Sequence, residues 1–258
     1  MKAIIVILML VGSSLESSLS KDFVNEFIGS TELKNENTVA NYKRYDFSSL
    51  WLQTDNDKVL GIIGSNHQRI KVKILTVEKS SEVSLEYLVQ GKSWVKGVVC
   101  DFSGRILIKE VRELKHFHYG VDEMYKDRGI RNQGILIADY EFNENVDQKY
   151  SGKFKGKLYS KWYLNWDDQI EYDKIQLHSD RYLNNAYVGS WESYRTNKEK
   201  ICNWADYRVP QANSDFDIGA AEFFPSRKYA ENGWASYQKT WSDRDKEAQK
   251  TELSEWWE

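Results

Sequence analysis

The chain has 258 residues, a formal net charge of −3, and 41% hydrophobic and 29% charged residues. This supplies enough apolar side chain for a packed core. It supplies no basic excess to neutralise phosphates, which removes the electrostatic case for nucleic acid. The acidity is local, because three Lys/Arg stand against six Asp/Glu between Trp241 and the end.

Residues Met1–Ser20 stand apart from the rest. Lys2 gives a short positive start, Ala3–Val11 is continuously apolar, and Ser18-Leu19-Ser20 supplies a small–x–small site before Lys21. This order of segments predicts a signal peptide cleaved after Ser20, and an apolar run this short does not span a bilayer as a helix. The expectation is an exported chain, periplasmic or extracellular, with no transmembrane anchor after cleavage. Two cysteines, Cys100 and Cys202, would then sit in an oxidising compartment. A disulfide and a pair of small buried hydrophobes are both open readings.

Residues 21–49 read as an N-terminal segment. Phe23 and Phe27, four apart, predict a short helix, and the polar, Asn-rich stretch Thr31–Asn41 predicts a linker. From Leu50 the pattern becomes that of strands: Val59–Ile63, Ile70–Val77, Val83–Val89, Trp94–Cys100 and Gly104–Val111. Turn formers separate them at Gly64-Ser65-Asn66, Lys79-Ser80-Ser81, Gly91-Lys92-Ser93 and Ser103-Gly104, which predicts an antiparallel meander. The charged segment Leu114–Gln133 predicts a long connection with a short helix at Val121–Lys126. A second set of strands follows at Gly134–Phe142, Tyr150–Tyr163, Ile170–Leu177, Tyr187–Tyr194 and Ile201–Val209. Nine to eleven strands are expected. After Pro225, Ser242–Asp245 resembles a capping box, and Asp243–Glu255 predicts a mostly solvated C-terminal helix.

The expected fold is therefore mainly β: an antiparallel meander closing into a barrel or a sandwich, with a short N-terminal and a C-terminal helix. The organisation reads as 1–20 leader, 21–49 segment and linker, 50–240 β-rich domain with a division near 114–133, and 241–258 acidic helix. Within it, Tyr187–Tyr194 puts Tyr187, Gly189 and Trp191 on one strand face. The aromatic–x–Gly–x–apolar pattern recurs at Phe102–Ile106 and Tyr150–Phe154. It predicts glycines where a curved sheet bends, with aromatic rings covering them. Gly189-Ser190-Trp191 also resembles the G-x-W of lipocalins. In that family the motif lies on the first barrel strand, and too few residues follow Trp191 here for the remaining strands. The resemblance is one of texture and implies no ligand or site residue.

The most site-like run is Asn203–Arg208, where alternation puts Trp204, Asp206 and Arg208 on one face. A flat indole beside Asp and Arg suits a carbohydrate surface, and the competing reading is an Asp206–Arg208 pair over a structural Trp. Asp215, Asp217 and Glu222 could supply oxygen ligands or a carboxylate pair, as could Asp139 with Glu141 and Asp167-Asp168. His116 and His118 would share a strand face, but no third ligand is visible, so neither a metal nor a cofactor is assigned. No residue is assigned to catalysis. The functional expectation is a non-catalytic exported protein that binds a ligand or partner, carbohydrate or an envelope protein, or has a structural role. The alternative is a secreted glycan hydrolase using paired carboxylates.

Overall fold

A computed structural model describes residues 32–179, 181–217 and 222–258, together with Phe23, Val24 and Phe27; the leader reading of Met1–Ser20 lies outside the described residues. Nine strands form the sheet: β1 (Val59–Ile63), β2 (Gln68–Lys79), β3 (Glu86–Val95), β4 (Val98–Glu113), β5 (Ile130–Glu144), β6 (Gly152–Asn165), β7 (Ile170–Tyr172), β8 (Asn184–Ser193) and β9 (Glu199–Asp206). Neighbours run β1 to β6 in chain order, then β8 and β9, and β9 returns to β1 with Gly61 opposite Trp204. Eight strands thus close a ring in which every pairing is antiparallel, and β7 extends β6 where β8 departs. Of the two expected forms, the sheet takes the ring. The 114–133 connection does not divide it, because β4 and β5 pair directly up to Glu113 opposite Gly134.

Two expected turns are strand interiors. Gly91 faces Phe102 across β3–β4, and Gly104 faces Phe142 across β4–β5. The turn is instead Lys96-Gly97, whose φ values of 51° and 80° suit a tight two-residue hairpin. The glycines permit close approach, since a Cβ on Gly104 would lie 2.7 Å from the Phe142 Cα. Gly189 behaves the same way. Tyr140, Gly156, Gly189 and Cys202 stand side by side on four neighbouring strands. A Cβ on Gly189 would lie 2.8 Å from both the Tyr140 hydroxyl and the Gly156 Cα. The ring that covers the gap comes from across the sheet. Tyr187 turns instead to stack on Trp204, with centroids 4.6 Å apart, and Trp191 covers Gly152.

The barrel ends differ. At one end, short 3₁₀ turns at Val39–Tyr42 and Ser48–Trp51 push Tyr42, Phe47, Leu50 and Trp51 into the interior core. The Trp162 ring meets Tyr42 and Phe47 edge-on. The linker expectation for 31–41 is therefore corrected: Leu33 bridges to Leu114, and the buried Thr38 hydroxyl donates to the Val111 carbonyl. Side chains that find apolar partners override a polar local composition.

Both termini cover outer walls. Phe23, Val24 and Phe27 are helical and pack on Tyr159, Ile135 and Ala205. At the other terminus Trp234, Tyr237 and Phe216 cover Leu60. The C-terminal helix spans Lys246–Leu253 and is capped not by Ser242 but by Asp245, whose side chain accepts from the Glu247 and Ala248 amides. It is mostly solvated, as expected, with Ala248 and Glu252 buried, and it is anchored through Glu252, which pairs with the buried Arg69 guanidinium through two hydrogen bonds of 2.8 and 2.5 Å. Arg69 also lies under the Trp234 ring, 5.0 Å from its centroid.

Gly189→Val should destabilise the protein by about 1–3 kcal/mol through overpacking, despite valine's higher strand propensity. Urea unfolding reads this directly, and a variant as stable as the wild type would contradict the close approach of β6 and β8.

Candidate functional site

Strand direction decides which turns meet. β1, β3, β5 and β8 run towards one end, and β2, β4, β6 and β9 leave it. Four connections therefore frame this mouth: Gly64–His67, Lys96-Gly97, Asn145–Ser151 and Tyr194–Lys198. Each is short, and none folds inward as the 39–51 segment does at the far end. The result is a cup of about 550 Å³. Ile63, Ile70, Val95, Val98, Phe154 and Trp191 give it an apolar wall.

Inside the wall sits one acid. Glu144 ends the inward row Tyr140, Phe142, Glu144 on β5 and is 5% exposed. Its Oε1 accepts from the Ser93 hydroxyl. Its Oε2 accepts from the Trp191 indole N–H at 2.9 Å and the Gly152 amide at 2.7 Å. These bonds tie β3, β5, β6 and β8 together at the mouth. Burial raises the Glu144 pKa, and the three donors oppose that rise. The rim has the opposite sign: Lys96, Arg195, Lys198 and Lys200 line it. Lys200 Nζ lies 5.6 Å from the Trp191 ring centroid, and the Arg195 guanidinium 5.8 Å from that of Tyr150.

Cys100 is also in the cup wall, its thiol pushed up to about 11 by burial first and then by Glu144. Both cysteines are free and buried. The Cys100–Cys202 bridge is corrected by topology: β4 and β9 lie four strands apart in either direction round the ring, so the residues face each other from opposite walls. A disulfide needs Cα atoms within about 7 Å.

The residues expected to form one site are dispersed. Trp204 and Asp206 do share a face, but it is the barrel interior, where both are under 5% exposed. A buried indole offers no stacking platform to a sugar. Asp206 joins a polar network under the 39–54 segment: its Oδ2 accepts from Thr54, Tyr172 and Asn185 at 2.8, 2.9 and 2.8 Å. Asn185 accepts in turn from Ser160, which accepts from the Trp51 indole. Arg208 lies beyond β9 and donates to Asp217 at 2.9 Å, so no Asp206–Arg208 pair forms. Asp215 pairs with Lys228 at 2.6 Å and accepts from Tyr229. Glu222 borders a separate groove with Arg181 and Trp241. Asp139 pairs with Lys157, and Asp168 with Arg131. His118 approaches Glu32 at 3.5 Å, and among the described residues no three His, Cys, Asp or Glu converge as a metal site requires. Glu144, Ser93 and the rim cations were missed. The signal for Glu144 was present, since continuing the β5 alternation two residues past Phe142 puts it on the inward face.

Burial raises the Asp206 carboxyl from 3.8 to about 7, against the lowering effect of its three donors. Between those values the folded state holds more protons than the unfolded chain, so this group's contribution makes stability fall as pH rises from 3.8 to about 7. Asp206→Asn keeps an acceptor and removes the titration. Its stability relative to wild type should therefore rise across that window in urea titrations. A constant difference between the two proteins would contradict the assignment.

No family model, curated protein or solved structure matches this chain.

Proposed function

We propose that this chain is an exported, non-catalytic binding protein that holds a small molecule with an apolar body in the mouth of its barrel. The observation that carries the reading is the cup itself: about 550 Å³, walled by aliphatic and aromatic side chains and open between four short turns. Small-molecule sites are typically apolar concavities of this size with a few oriented polar groups. The export part rests on the leader-like order of Met1–Ser20.

The contrast with a glycan hydrolase turns on carboxylates. Glycosidases set two of them a defined distance apart across one cleft. Among the described residues, a single carboxylate, Glu144, lines the cup, and a single one, Glu222, lines the separate groove beside Arg181 and Trp241. Glu144 already accepts from three donors, which favours a structural carboxylate over a catalytic one. With Trp204 buried, the ligand expectation also moves from carbohydrate stacked on an open indole to an apolar body inside the cup.

A neutral environment-sensitive dye such as Nile red is the direct probe. Its emission should shift on binding, and Val95→Trp, which fills the cup from β3, should weaken binding by about tenfold or more. Dye binding that is unchanged in a folded Val95→Trp variant would refute the cup as the site.

A further inference from the structure

The charges at the mouth are arranged by depth, and that arrangement specifies the ligand. Lys96 comes from the β3–β4 turn, Arg195 and Lys198 from the β8–β9 turn, and Lys200 from the start of β9. Some cations elsewhere in the protein pair with carboxylates, among them Lys34, Arg131, Lys155 and Lys228. None of the four rim cations has a carboxylate partner among the described residues. The nearest acid in sequence, Glu199, turns away: it accepts from Ser190 and pairs with Lys155 on the outer wall. The Trp191 and Tyr150 rings lie beside Lys200 and Arg195 without neutralising them. Deeper in, the only acid among the described residues is Glu144, with its acceptor oxygens already engaged.

We propose that the cup selects an amphipathic anion, whose apolar body lies against Trp191 and Phe154 and whose single anionic group stays at the rim among Lys96, Arg195, Lys198 and Lys200. The orientation follows from the two signs of charge. An anionic group directed inward would meet Glu144 in a poorly solvated wall, where like charges repel strongly. At the rim the same group meets four unneutralised cations and keeps part of its hydration. A cationic amphiphile meets the reverse arrangement: it is repelled on entry, and the one acid that could hold it is saturated with donors. Although the chain is net negative, its mouth attracts anions locally, and such a field raises their rate of encounter as well as their affinity.

This inference rests on the binding reading above and adds the charge of the ligand. Calorimetric titration with decanoate, decanol and decyltrimethylammonium, each below its micelle concentration and at about pH 8, where a carboxylic acid is ionised, separates the two. Decanoate should bind about tenfold more tightly than decanol, with decyltrimethylammonium weakest, and the advantage should shrink as salt is raised. In a Lys198→Glu/Lys200→Glu variant with wild-type melting behaviour, the preference for decanoate over decanol should disappear. Equal affinities for all three would leave the cup as a site and overturn the anion preference alone. Binding of none of them would overturn the binding reading and this inference with it.

Discussion

Tyr140 lies across Gly156 and Gly189, and the rest of the structure depends on that contact. An eight-stranded ring has an interior just wide enough for side chains to fill. Here it is filled by rings over bare backbone. Gly91 yields to Phe102, Gly152 to Trp191, and the Gly156–Gly189 pair to Tyr140. Tyr187 and Trp204 then stack beside Tyr140, and Phe102 stacks on Phe142 with centroids 5.0 Å apart. Large residues opposite absent ones let the wall curve and the centre fill with rings. This aromatic layer crosses the barrel and separates its two ends.

The ends then follow different physics. At the far end the chain leading into β1 returns its own Tyr42, Phe47, Leu50 and Trp51 to the interior, and the polar groups they bring must be satisfied. The connected network of Asp206, Asn185, Ser160, Thr54 and Tyr172 meets the Trp51 indole and the Leu50 carbonyl, while Glu113 accepts from the Tyr42 hydroxyl and the Tyr87 hydroxyl accepts from the Phe47 amide. At the mouth the four turns are too short to fold inward, so the wall above the aromatic layer remains uncovered. Glu144 holds that wall together with three hydrogen bonds and leaves the cup lined mainly by apolar surface. An open, mainly apolar wall under a cationic rim is the arrangement that the proposed ligand answers.

The strands were legible because β2 and β8 alternate and β1 and the middle of β5 are continuous apolar runs bounded by turn formers, and the helical pair Phe23 and Phe27 was legible from spacing alone. Gly91 has the sequence of a turn, and Gly104 fits both a turn and the aromatic–x–Gly–x–apolar pattern of a bending sheet, because a glycine looks the same in both settings; what distinguishes them is the ring on the next strand. The Asn203–Asp206 alternation was also right, but its direction could not be read. Alternation reveals the inside of a sheet only when the outside is polar. Here both walls are apolar in places, since Leu60, Ile135, Ile137 and Ala205 are covered on the outside by the terminal segments. Trp204 and Asp206 could thus be taken for an outward platform. The plug was hidden because Tyr42, Tyr45 and Phe47 sit in irregular backbone with no period. The cup was hidden because it is a property of ring closure: Ser93, Glu144, Gly152 and Trp191 converge only once four strands are in register.

The central claim is that one end of the barrel is sealed by the chain itself and the other receives a ligand. Mapping amide and indole chemical shifts by NMR as decanoate is added tests it most directly. The account predicts perturbations at the Trp191 indole N–H and in the turns around Lys96, Tyr150 and Arg195, with the Trp51 indole, Asn185 and Asp206 unmoved. Perturbations centred on Trp51 and Asp206, with the mouth turns silent, would contradict it.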